Sequence, residues 1–284
     1  MELSLKNKTG IVIGASRGIG KAIALELSRE GVDLVIVARH ASALTASAEQ
    51  IARETGRKVI PMTADVTNRE QVETTVDAAA KALGGLHILV NSGSLPGGSP
   101  TAVGHIDSIV DEDFLEDFNV KYLGTLRCTR AAIPHLKRSG WGRIVNISGL
   151  NARRAGNLSG GARNGALVHF TRTLALQLGQ HGITVNCIHP GDTRTEATAV
   201  RFEERAREAG ITAAEVEARD YSHEAFKNRK CQIIPGGPAA NSIGRLIDAS
   251  EIGHLAVFLC SDKSWAINGE VIAADGGGSS SVYY

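Results

Sequence analysis

Short runs dominated by valine and isoleucine alternate along this chain with longer stretches in which apolar residues return every three or four positions. The runs at 9–14 (TGIVIG), 33–38 (DLVIVA), 58–62 (KVIPM), 87–91 (HILVN), 143–147 (RIVNI) and 183–188 (ITVNCI) are short and carry few polar interruptions. Such runs predict strands covered on both faces, as in a parallel sheet. Between them, residues 18–29, 41–55, 69–83, 111–137 and about 159–180 follow the helical period. A helix near 250–260 and a closing strand at 270–277 (EVIAADGG) complete the series. Repeated strand–helix alternation implies right-handed crossovers. It predicts an α/β chain folded as one domain, 1–284, around a Rossmann-type doubly wound parallel sheet.

The rhythm fails between 196 and 248. Charged helical pieces (RFEERAREAG, TAAEVEARDY) give way to the proline- and glycine-rich IIPGGPAANSIG, and no strand is predicted there. Long strandless connections in compact domains are commonly lids or binding loops. This one leaves the sheet at its carboxyl edge, where such folds bind ligands. It is expected to be an inserted helical lid over a small-molecule substrate; the alternative is a solvated helical hairpin without a special role.

Composition removes several classes of function. With 284 residues, 43% of them hydrophobic, the chain can bury a full core, and a net charge of +1 argues against a nucleic-acid surface. Cys128, Cys187, Cys231 and Cys260 are widely spaced, which predicts reduced thiols rather than a disulfide framework or a metal site. The opening MELSLKNKTG has no apolar signal core, and no run approaches the ~18 apolar residues of a membrane span. A cytoplasmic protein with no membrane partner is expected.

The first strand and helix carry the clearest chemistry. TGIVIGASRGIGKAIA sets Gly14, Gly18 and Gly20 between them, with Ser16, Arg17 and Ile19 in the same turn. A dinucleotide needs this arrangement, because its diphosphate approaches the backbone at the positive end of a helix. After the second strand a site preferring NAD presents an acidic residue to the ribose 2′-hydroxyl. Here the chain reads Ala38, Arg39, His40. Arg17 and Arg39 together would clamp a 2′-phosphate, so NADP(H) is the expected cofactor in preference to NAD(H).

On these motifs the chain resembles the short-chain dehydrogenase/reductase superfamily over nearly its whole length. Asp65 and Val66 in ADVTN resemble the adenine-contacting segment. NSGS at 91–94 stands where the family has NNAG, so Asn91 and Gly93 match while Ser92 and Ser94 depart. HPGDTRT, with Pro190, Gly191, Thr193 and Thr195, resembles the segment that holds the nicotinamide, and NGEVIAADGG the closing strand. The resemblance implies a homodimer or homotetramer formed through the helices at 111–137 and 159–180.

It also implies a proton relay of serine, tyrosine, lysine and asparagine, in which lysine lowers the tyrosine pKa from its ordinary ~10. Asn119 in DFNVKYLG matches the asparagine. Counting from Ser148 with the family spacing lands on Gly161 and Gly165. Anchoring on ALVHFTRTLA puts Gly160 at the tyrosine and Asn164 at the lysine, with Gly149 at the serine. No lysine lies between Lys137 and Lys227, and no tyrosine between Tyr122 and Tyr221. Asn164 can bond a ribose hydroxyl but carries no charge to depress a neighbour's pKa.

The replacement candidates are Tyr122, one turn beyond Asn119, and Ser148, with Ser159, Arg153, Arg154, Arg163, His189 and His169 behind them. For Tyr122 the alternative is helix packing, for the arginines surface charge, for the histidines a structural place, and for the serines a cap. Three functions remain open. One is an NADP(H)-dependent oxidoreductase acting on a carbonyl, alcohol or activated alkene with a non-standard site. The others are a catalytically silent NADP(H)-binding protein and a non-redox enzyme on the same fold.

Overall fold

The computed structural model of the chain describes residues 2–95, 98–227 and 241–279. Seven parallel strands form its centre: β1 (Thr9–Ile13), β2 (Asp33–Ala38), β3 (Val59–Thr63), β4 (Ile88–Asn91), β5 (Gly142–Ile147), β6 (Ile183–Pro190) and β9 (Val271–Ala274). Their spatial order is β3-β2-β1-β4-β5-β6-β9. The order reverses at β1, so the crevice beyond the carboxyl ends of β1 and β4 is the switch point where doubly wound folds bind ligands.

Side chains alternate across the sheet, as the pleat requires. Val12, Leu34, Ile36 and Val90 join one core with Ile23 and Leu27 of α1 (Gly18–Arg29) and Ile252 and Ala256 of α10 (Ala249–Cys260). Ile11, Ile13, Val35, Val37 and Leu89 join the other. That core includes Val72 and Val76 of α3 (Arg69–Leu83), Cys128 and Ala132 of α5 (Gly124–Ser139) and Ala175 of α6 (Leu158–Leu178). α2 (Ala41–Thr55) ends on Gly56 in the left-handed conformation, a common helix stop.

The helix expected at 111–137 is interrupted. α4 (Asp111–Phe118) runs into a π turn at Asn119–Leu123 before α5 begins. The Gly124 N–H donates to the Asn119 carbonyl five residues back, and the Thr125 hydroxyl donates to the Lys121 carbonyl at 2.8 Å. Gly124 sits hard against the loop after β3, where a Cβ would come within 2.8 Å of Val66 Cγ2. The π turn re-aims the side chains of 119–123, a feature that recurs at functional sites.

The segment at 196–248 is helical where described: α7 (Glu196–Ala209), α8 (Ala213–Asp220) and α9 (His223–Lys227). Phe202, Ala206, Val216, Tyr221 and Leu246 give it a small core of its own. The expectation of no strand is corrected at its end, where β8 (Ile247–Asp248) pairs in parallel with β7 (Thr193–Arg194). Arg194 fastens this pair, reaching Asp248 at 3.0 Å and Glu217 at 2.6 Å. The IIPGGP stretch and Cys231 lie outside the described residues. Cys128, Cys187 and Cys260 are buried and free, their thiols pushed up to about 12 by burial.

Candidate active site

β1 hands over to α1 through a turn that glycine alone fits comfortably. Gly14 and Gly18 have φ of 81° and 59°, values that strain residues with a Cβ. A Cβ on Gly14 would come within 2.7 Å of the Gly93 nitrogen, and one on Gly20 would overlap the Gly14 carbonyl oxygen. The close approach draws β4's loop over the start of α1, whose first amides point into the crevice unpaired by the helix itself. The Glu196 carboxylate, at the start of α7, accepts the Gly18 N–H at 2.9 Å. A carboxylate thus occupies the anion position that a dinucleotide diphosphate takes in such turns. The residues present fit that group.

A cavity of about 680 Å³ extends from this turn. Gly14, Ser16, Arg17, Gly18, Ile19, Gly20, Arg39, Asp65, Val66, Gly93, Pro190, Gly191, Thr193 and Thr195 all line it. Arg17 and Arg39 are exposed at its rim, and among the described residues neither guanidinium is engaged in a hydrogen bond or ion pair. Partial burial acts to raise the Asp65 pKa, but the Thr67 N–H and hydroxyl, with Arg39 and Arg127 nearby, outweigh it and hold the carboxyl below its ordinary range. Asp65 is therefore a committed anion at neutral pH.

Two residues of the expected cofactor set, Asn91 and Asn164, do not line the cavity. Asn91 is buried in a polar ladder: its amide donates to Asn146 Oδ1 at 2.9 Å and Thr129 Oγ1 at 3.1 Å, and Asn146 donates on to Thr171. It ties β4 to β5, α5 and α6 and does not line the cavity. Asn164 is buried in α6 with its Nδ2 only 2.7 Å from where a Gly149 Cβ would stand. Its main-chain carbonyl accepts from the Ser148 hydroxyl at 3.1 Å, and its own Oδ1 finds no partner.

The substrate end of the cavity is walled by Ser92, Ser94, Val120, Lys121, Ile147 and Ser148. Ser148 is among these lining residues. Neither Asn119 nor Tyr122 belongs to the wall. Asn119 contributes its carbonyl to the π turn, and its Oδ1 is buried without a partner. Tyr122 packs against Phe118, with ring centroids 4.9 Å apart, and edge-on against Phe170 at 5.9 Å. Its ring serves a helix–helix contact. The space beside Gly160 is taken by Asn151 and Asn157, whose side-chain atoms would lie 2.6 and 2.9 Å from a Cβ there. Asn157 also caps α6, accepting the Gly160 N–H at 2.7 Å.

The remaining candidates separate. Arg153 donates to the Val271 carbonyl and Arg154 to that of Gly278, tying their turn to β9 and the loop beyond it. Ser159 donates to Asp117 at 2.6 Å. His169 is exposed rather than packed. Arg163 is buried; burial lowers its pKa against the pull of Asp117, and its Nε and Nη1 lack partners. His189 is fully buried with neither ring nitrogen partnered among the described residues, and burial, then Arg153 and Lys121, press its pKa to about 4. It is neutral across the physiological range.

Lys121 is the residue that the sequence reading passed over. It is 5% exposed, lines the cavity, and makes no ion pair or hydrogen bond through Nζ among the described residues. Burial, then Arg163, lowers its pKa to about 7 from an ordinary 10.5. A signal was present: Asp117, Val120, Lys121, Gly124 and Cys128 form one buried stripe at helical spacing, and a lysine in such a stripe is rarely idle.

Comparison with known proteins names the class. The sequence profile of the short chain dehydrogenase family matches residues 8–206, and that described as enoyl-(acyl carrier protein) reductase matches 230–279. The chain is 30% identical to the NADPH-dependent reductase BacG of Bacillus subtilis over 281 residues, covering 98% of this chain and all of that protein. It is 31% identical to the short-chain reductase NovJ of Streptomyces niveus over 277 residues, 96% of this chain and 94% of the other. Among solved structures, L-sorbose reductase from Gluconobacter frateurii, complexed with NADPH and L-sorbose, superposes with a TM-score of 0.87 at 25% identity, covering 99% and 100% of the two chains. The chain belongs to the short-chain dehydrogenase/reductase family.

Proposed function

We propose that the protein is an NADP(H)-dependent oxidoreductase that acts on a carbonyl, alcohol or activated alkene without the family's tyrosine–lysine pair. The observation that carries this reading is the continuity of one cavity. It runs from the start of α1, past Arg17 and Arg39, to Ser148 and to Lys121, which makes no ion pair among the described residues. The NADPH dependence of BacG and the NADPH bound by the sorbose reductase support the choice of nucleotide.

On this reading Gly14, Gly18 and Gly20 admit the diphosphate, and the α1 amides hold it once Glu196 releases Gly18. Arg17 and Arg39 grip the 2′-phosphate, a pairing that suits guanidinium geometry. Asp65 and Val66 border the adenine, while Pro190, Gly191, Thr193 and Thr195 border the nicotinamide. A bound nicotinamide supplies the hydride, so this chain has to orient the acceptor and manage charge and proton at its oxygen. The Ser148 hydroxyl, on the cavity wall, orients that oxygen. The α7–α9 segment serves as the lid over the acceptor, and the protein works as a cytoplasmic homo-oligomer. Leu176 on α6, 76% exposed, is an apolar side chain that helix pairing would cover.

The test is a fluorescence titration with NADPH and NADH followed by a screen of ketones, aldehydes and enones for absorbance loss at 340 nm. The proposal expects NADPH to bind at least tenfold tighter and at least one acceptor class to turn over. Tight binding without turnover across the panel would favour a silent nucleotide-binding protein, and product without absorbance change a non-redox enzyme.

A further inference from the structure

A buried cation normally sits beside an anion, because an uncompensated charge in a low-dielectric interior is costly. Lys121 has none. Facing it, Arg163 of α6 carries the same sign, while Cys187 and His189 of β6 are neutral, the thiol pushed up and the imidazole pressed down. Asp117, one turn back on α4, is engaged by the Ser99 amide and hydroxyl and the Ser159 hydroxyl. What Lys121 does meet is the cavity, which Ser148, Ser94, Pro190 and Gly191 also line. An ammonium held without a counter-ion at a ligand cavity is arranged to meet negative charge that arrives there.

We infer that Lys121, presented by the π turn from the helix opposite α6, is the proton donor to the substrate's carbonyl oxygen, an inference that rests on the reductase reading. The step balances. Two electrons arrive as hydride at the carbonyl carbon, or at the β carbon of an enone. The displaced π pair settles on the same oxygen as alkoxide or enolate. The Nζ–H bond breaks and an O–H bond forms, leaving a neutral amine that regains its proton from water; from an enone the product is an enol, which tautomerises in solvent to the saturated ketone. The reductant is NADPH, and the overall reaction consumes one hydride and one proton. Lys121 titrates near neutrality and so combines availability of the proton with driving force to deliver it. An enolate and an alkoxide place charge on the same atom, so one ammonium serves both acceptor classes.

Two measurements test this. In nucleotide-free protein labelled with [ε-13C]lysine, the resonance missing from Lys121→Met should titrate with a midpoint near 7, far below the ~10.4 of the free amino acid side chain. A midpoint at the free value overturns the inference. Kinetically, Lys121→Met should lower kcat about 10²-fold while leaving NADPH affinity within threefold. It should also remove the fall in kcat/KM expected of wild type as pH rises through neutrality, and methylammonium should restore turnover to Lys121→Ala. A Lys121→Met variant with wild-type turnover overturns the proton-donor role alone. Wild-type protein that turns over no acceptor counts against the reductase reading itself. Borohydride trapping of a substrate on Lys121 would replace proton donation with covalent chemistry.

Discussion

Glu196 Oε2 lies 2.9 Å from the Gly18 amide nitrogen, so the first residue of α7 holds the first amide of α1 across the cavity mouth. A diphosphate and this carboxylate compete for one donor. Glu196→Gln should therefore tighten NADPH binding by about threefold to tenfold, the scale of one charge-assisted hydrogen bond partly exposed to water. Isothermal titration measures it. Weaker binding in the variant would make Glu196 part of the cofactor's support.

On the proposed reading Arg17 and Arg39 carry nucleotide choice. Each replaced by alanine should cost NADPH about tenfold or more in affinity, as expected for loss of a guanidinium–phosphate contact, while NADH binding changes little. The double variant should lose its preference. Equal losses for both nucleotides would assign the arginines to the diphosphate or to the fold.

Lys121 also makes stability depend on pH. Its folded pKa, about 7, lies below the ordinary 10.5, so between these values the unfolded chain holds a proton that the folded chain has released. Its contribution to stability therefore improves as pH rises from 7 to 10.5, and its full penalty is present below 7. Lys121→Met removes that penalty. The variant should melt several degrees above wild type at pH 6.5, and the gap should close towards pH 10. A gap independent of pH would indicate simple repacking.

Tyr122 offers a control. Its ring contacts Phe118 and Phe170, and it does not line the cavity. Tyr122→Phe should leave turnover unchanged, whereas Tyr122→Ala should destabilise the fold by about 2 kcal/mol, part of the cost of truncating a packed aromatic. Urea denaturation reads the second effect and steady-state kinetics the first. A large kinetic loss in Tyr122→Phe would return the phenol to the chemistry.

The fold was legible because its strands are short valine and isoleucine runs and its first turn needs glycine for stated steric reasons. The ends of α1, α2 and α3 coincide with the sequence-based boundaries. The cavity lining at the glycine turn, Arg39, Asp65 and 190–195 was likewise readable, since it depends on chain order along a known crossover pattern. The catalytic end was less so. The spacing of 117, 120, 121, 124 and 128 already marked Lys121, but motif matching favoured Asn119 and Tyr122, and the π turn beside which Lys121 takes the wall follows from no pattern in the sequence. Asn91 was assigned by motif to the nucleotide, yet its buried amide is spent on a cross-strand ladder that only tertiary structure defines. The β7–β8 pair was missed because two residues are too few to produce a pattern.

The most direct measurement follows a single deuterium. Protein in excess over [4,4-2H2]NADPH is mixed with ketone and enone acceptors, and the products are analysed by mass spectrometry after one turnover. The account predicts one deuterium on the former carbonyl carbon or on the enone β carbon, with the second hydrogen drawn from solvent. Product masses unchanged across the panel, with the nucleotide bound and intact, would contradict it.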